Sequence, residues 1–147
     1  MGSNAELYAQ DFYAWAQTTA ALIRAGKWYD LDREALAEEV ESVGASQYTA
    51  VSSAVYQILV HLLKWRYQAA RQSRSWRVSL LEHRSRIPRR LRRAPSLARE
   101  LPTMIVEEYS AACRKASAQT SLPLSTFPET CPWTPEQVLD DDFWPDA

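Results

Sequence analysis

A chain of 147 residues with 17 Lys and Arg against 18 Asp and Glu, net charge −1, has the usual size of one domain and can bury a core without staples. Its two cysteines, Cys113 and Cys131, form no CxxC pair, which excludes a disulfide scaffold and a cysteine-built zinc site; with no apolar run of about 18 residues, a membrane-spanning helix is excluded too. The near-neutral total conceals a division. Lys64 to Arg99 holds twelve basic residues against the single acid Glu82, +11, and leaves five basic against 17 acidic residues elsewhere, −12. Such a layout either presents a cationic face to an anionic partner or neutralises itself internally. No signal peptide is visible, so a reduced, cytoplasmic protein without a membrane partner is expected.

Residues 1–5 (Met1-Gly2-Ser3-Asn4-Ala5) read as a cloning remnant or disordered end, and 6–147 as a single all-α domain. Tyr8, Phe12, Trp15, Ala16, Thr19, Leu22 and Ile23 recur at three- and four-residue spacing, predicting one amphipathic helix that ends at Gly26. Asp32 is a cap for a second helix with Leu36, Val40 and Val43 on its buried face, stopped by Gly44. From Ser46 to about Ala70 the apolar positions Val51, Ala54, Val55, Ile58, Leu59, Leu62 and Leu63 widen into the stripe of a central, buried helix. Ser75 is the expected cap of a fourth helix carrying Leu80, Arg84, Ile87 and Leu91. Pro88 predicts a kink or break at Ile87.

Pro102 suits the first turn of a fifth helix whose Ile105, Tyr109, Ala112, Cys113 and Ala116 face inward, fading near Thr120. Cys113 thereby reads as core, while Cys131 is either core or surface loop. The proline- and aromatic-rich stretch from Leu122 to Trp133 is an extended strap, followed by a short helix with Thr134 as cap and Pro135 at its first position. No segment alternates with a two-residue period. The fold class is all-α: a bundle of about five helices with a C-terminal strap and a short terminal helix.

The runs Asp11-Phe12-Tyr13-Ala14-Trp15-Ala16, Leu36-Ala37-Glu38-Glu39-Val40-Glu41-Ser42-Val43-Gly44, His61-Leu62-Leu63-Lys64-Trp65, Ser73-Arg74-Ser75-Trp76-Arg77 and Phe127-Pro128-Glu129-Thr130-Cys131-Pro132, in this order, resemble the bacterial Domain of Unknown Function 29 family over nearly the whole chain. That resemblance implies a small, helical, stand-alone bacterial protein and carries no catalytic residue onto this sequence. Arg86 to Arg93, with Pro88 inside, departs from the charge-balanced, proline-free helix of this region in the family.

Four constellations carry chemistry. Asp11, Glu39 and His61 lie at the edges of apolar helix faces, where oxygen and imidazole ligands from neighbouring helices could hold a divalent metal or act as acid and base. The Glu-x-x-His of di-iron bundles is missing, so the preferred reading is a structural His61 bonded to Glu39 or backbone, with no metal and no cofactor. Arg77 and His83 show an Arg-x5-His spacing similar to that of the HEPN-type helical ribonucleases, a cheap match in an arginine-rich segment. The basic segment Lys64 to Arg93, with Trp65, Tyr67 and Trp76 interleaved, offers Arg71, Arg74, Arg77, Arg89, Arg90 and Arg93 as nucleic-acid contacts. Pairing with the tail aspartates Asp140, Asp141, Asp142 and Asp146, in the same chain or across a dimer, is the preferred alternative. In the tail itself, Phe127, Trp133, Phe143 and Trp144 are expected to close the strap on its own core.

The resulting expectation is a non-enzymatic protein acting through protein contacts, as a homo-oligomer or with another protein. Nucleic-acid binding through Lys64 to Arg93 is the alternative, and a metal-dependent or ribonuclease-like enzyme the third.

Overall fold

The computed structural model describes residues 4–146 and is 80% helical, with six helices and no strand among the described residues. The helices are α1 (Asn4–Gln10), α2 (Phe12–Arg24), α3 (Arg33–Tyr67), α4 (Arg74–Arg93), α5 (Leu101–Thr120) and α6 (Pro135–Leu139). Single 3-10 turns occupy Trp28–Asp30, Ala69–Arg71 and Leu124–Thr126, and a longer one Pro95–Glu100. Two compact units are present, Met1–Ser46 and Gln47–Ala147.

In the first unit α1 and α2 pack together. The expected single helix is split at Asp11, which leaves helical angles (φ −148°, ψ 87°) so that its carboxylate can accept from Ala14 N at 3.0 Å. A short acidic side chain satisfying an orphan amide favours a new helix start over a continued turn. Asn4 and Ala5 are helical in α1; the expectation for Met1, Gly2 and Ser3 lies outside the described residues. Tyr8, Phe12 and Trp15 form an aromatic cluster with ring centroids 4.8–6.0 Å apart. After α2, Gly26 takes φ +71°, and Lys27 N donates back to Leu22 O while Gly26 N donates to Ile23 O. That is a Schellman ending, and it needs a residue without Cβ.

Asp32 begins the next helix as expected, accepting from Ala35 N at 3.1 Å. Gly44 does not end it. α3 runs 35 residues to Tyr67, with Gly44 inside and Ser46 donating its hydroxyl to Val43 O rather than capping a new helix. A helical glycine costs about 1 kcal/mol, too little to stop a helix that continues into a fully apolar stripe and meets no proline. The stripe Leu36, Val40, Val43 is likewise corrected: Ala35 is buried and Leu36 half-buried, but Val40 and Val43 are 64% and 63% exposed. Periodicity defines a face without saying what covers it.

In the second unit, Val51, Val55, Ile58, Leu59, Leu62 and Leu63 of α3 are fully buried against Leu80 and Ile87 of α4 and Leu101, Met104, Ile105, Tyr109, Ala112, Cys113 and Ala116 of α5. α4 starts one cap earlier than expected, at Ser73, whose Oγ accepts from Trp76 N at 3.2 Å. It also stays helical through Pro88, without the expected break at Ile87. Proline costs about 3 kcal/mol there, and burying Leu80 and Ile87 completely returns roughly 1.5–3 kcal/mol each. The strap docks on this core as expected. Phe127 and Val138 are buried, Tyr109 Oη donates to Pro128 O at 2.7 Å, and Thr134 and Gln137 form a reciprocal capping box on α6.

Candidate functional site

The outer face of α4 is where the second unit concentrates charge. Leu80, Arg84 and Ile87 turn inward, so the three- and four-residue rows of the helix place Arg86, Arg89, Arg90 and Arg93 together on the exposed side, lining one open groove. Arg86 pairs with Glu82 at 2.9 Å, an exposed contact worth about 0–1 kcal/mol. Arg86/Arg90, Arg89/Arg93, Arg86/Arg89 and Arg90/Arg93 are like-charge neighbours, each costing about 0.2–0.5 kcal/mol of helix stability. The last-turn arginines gain from the negative end of the helix dipole, a benefit that fades by Arg86 and Arg89.

Within one chain the tail forms no direct ion pairs with this face. Among the described residues no ion pair within 4 Å joins Asp140, Asp141, Asp142 or Asp146 to an arginine. Docking is done by Arg84 instead. This guanidinium is only 2% exposed, and its Nε, Nη1 and Nη2 donate to Val138 O (2.9 Å), Phe143 O (2.9 Å) and Gln137 O (3.1 Å). Two of those carbonyls belong to the last turn of α6, where helix ends leave carbonyls short of donors; Gln137 O also accepts from Asp140 N at 3.4 Å. Burial lowers the Arg84 pKa, while Asp141 and Asp140 act in the opposite sense. Trp144 packs against Trp65 with ring centroids 4.7 Å apart and planes tilted by 53°, and the Arg77 guanidinium lies 4.9 Å from the Trp144 ring centre.

The remaining basic candidates serve other contacts. Arg71, in the 3-10 turn before α4, and Arg74, at its first position, are exposed and outside the groove-lining set, and Arg77 lies over Trp65 and Trp144. Lys64 is buried, donates to Gln119 Oε1 at 3.1 Å and sits 4.5 Å from the Trp76 ring centre; burial pushes its ammonium below the usual lysine range. Arg86 was missed as a groove residue, although its spacing to Arg89, Arg90 and Arg93 marks one helix face. Arg84 read as part of an apolar stripe, and no sequence signal names its carbonyl partners.

Asp11 is engaged as the α2 cap, and Glu39 Oε1 accepts from Tyr8 Oη at 2.6 Å, a bond that raises the phenol to about 12. His61 Nδ1 lies 2.8 Å from Gln57 O. A carbonyl can only accept, so the proton is on Nδ1. His83 Nδ1 faces Arg86 Nη1 at 3.3 Å and must accept, which places its proton on Nε2. The two rings are 5.7 Å apart, and burial lowers the pKa of both. No group of three or more His, Cys, Asp or Glu able to hold a metal ion occurs among the described residues. His83 and Arg77 thus have different neighbours. Cys113 is core and Cys131 half-buried, both free thiols whose pKa burial raises.

The first unit has its own exposed features. Trp28 is 59% and Tyr29 103% exposed, lining with Leu31 and Arg33 an open recess; Phe12, Tyr13, Val40 and Val43 are also exposed.

Fold and surface together define a small all-α protein with a cationic helix face and no helix long and apolar enough to cross a membrane among its described residues. The chain belongs to the family Domain of unknown function DUF29, whose model matches residues 7–144. No curated protein and no solved structure matches it.

Proposed function

We propose that this is a non-enzymatic, cytoplasmic bacterial protein that works through contacts with another protein, with 6–147 acting as one domain to which α3 contributes throughout its length. The observation that carries the reading is the exposure of Trp28 and Tyr29 beside an open recess, with Phe12, Tyr13, Val40 and Val43 also facing solvent. Large aromatics lose little rotamer entropy on docking and dominate binding energy at protein interfaces. Tyr29 is fully exposed and Trp28 more than half exposed on one short turn, so most of their apolar surface is available to a partner. The first partner to test is a second copy of the chain. Light scattering across a concentration series is expected to show an oligomer, and Trp28→Ser/Tyr29→Ser to return it to monomer with an unchanged melting temperature. A monomer at every concentration, together with identical partner profiles for both forms in cross-linking of cell extract, would overturn the reading.

A further inference from the structure

From the groove lined by Arg86, Arg89, Arg90 and Arg93, we infer a second binding site, one for the phosphate backbone of a nucleic acid. The seven helical steps from Arg86 to Arg93 advance about 10 Å along the helix, and a nucleic-acid strand carries one phosphate per about 3.4 Å of axis. The row therefore spans about three successive phosphates. Arginine is suited to this contact, because its fork gives two parallel bonds to one phosphate and it remains charged at every working pH.

Three observations point to an external anion. Arg89, Arg90 and Arg93 have no carboxylate within 4 Å among the described residues. The tail aspartates make no ion pair within 4 Å with these arginines among the described residues, and the tail is held at Arg84 through its backbone carbonyls. The like-charged rows of α4 repel one another until an anion lies between them. An anionic membrane fits less well. Between Arg86 and Arg93 the apolar residues are Ile87, which is buried, Pro88, and the half-buried Leu91, so no exposed Trp, Phe or Leu is available to enter a headgroup layer. With only arginines in the groove lining, spaced for successive phosphates, and no Asn, Gln, Asp or Glu in that lining to read other base edges, binding is expected to depend little on sequence.

The test is fluorescence anisotropy with a labelled 20-base-pair DNA duplex, with the same strand unpaired, and with phosphatidylglycerol vesicles as competitor. Four arginine contacts predict a salt slope near −3.6 on duplex, an affinity loss of about 100-fold between 50 and 200 mM salt. Arg89→Gln/Arg90→Gln should weaken binding at 50 mM and reduce that loss to about 10-fold, whereas Arg114→Gln, on the exposed face of α5, should change neither. Circular dichroism melts show that each variant is folded. No binding at 50 mM salt, equal effects of the groove and Arg114 variants, or displacement by vesicles in preference to unlabelled duplex would each overturn the site. Trp28→Ser/Tyr29→Ser is expected to leave nucleic-acid affinity unchanged, which separates failure here from failure of the protein-contact proposal.

Discussion

Arg84 behaves unlike every other arginine in the chain. A guanidinium that is 2% exposed and, among the described residues, without a carboxylate within 4 Å is tolerated because three backbone carbonyls, on Gln137, Val138 and Phe143, accept hydrogen bonds from it. Hydrogen bonds involving a charged group are worth about 1.5–3 kcal/mol each, and a buried acceptor left bare carries its own desolvation cost. Arg84→Ala is therefore expected to lower stability by about 3 kcal/mol or more in urea titration. Arg84→Lys should recover little of it, since one ammonium cannot reproduce a planar fork directed at three carbonyls. A loss below about 1 kcal/mol for Arg84→Ala would show that the strap is held by its aromatics alone.

At the level of elements, the two glycines Gly26 and Gly44 look alike in sequence and play opposite parts. Gly26 has φ +71° and closes α2, while Gly44 is an ordinary helical position of α3 with open space where a Cβ would stand. Gly44→Ala is expected to stabilise the protein by about 1 kcal/mol, and Gly26→Ala to destabilise it by about 1–2 kcal/mol. Thermal melts of the two variants read both signs in one experiment. Destabilisation by Gly44→Ala would restore two separate helices in place of α3. The same contrast applies to breaks: Asp11 interrupts a well-patterned helix because it can cap, whereas α4 continues through Pro88, with buried Leu80 and Ile87 before it and half-buried Leu91 after it.

For the whole molecule, the +11 and −12 division is not accompanied by direct ion pairs between the tail aspartates and the arginines among the described residues of one chain. Ending the chain after Val138 removes Phe143, Trp144 and Pro145 from the core edge and one of the three Arg84 acceptors. Stability should fall by roughly 2–5 kcal/mol, the range for losing a well-packed aromatic. Nucleic-acid affinity should change by less than about tenfold, because the groove arginines are already uncovered in the intact protein. A large gain in affinity on truncation, read by the same anisotropy titration, would instead reinstate the aspartates as an internal shield.

Local chemistry was enough to specify much of this protein. Apolar spacing located the all-α class and the buried stripe from Val51 to Leu63; Gly26, Asp32, Pro102 and Thr134 announced their caps, because each acts on amides or angles within a few residues of itself. The arginine row was visible as composition and spacing. Tertiary structure alone decided which faces are covered. Val40 and Val43 share the periodicity of the core and face solvent, while Arg84, charged like its neighbours, is sealed beneath the strap by carbonyls more than fifty residues away. Burial and long-range hydrogen bonding depend on what else occupies the space, and spacing along one helix carries no record of that.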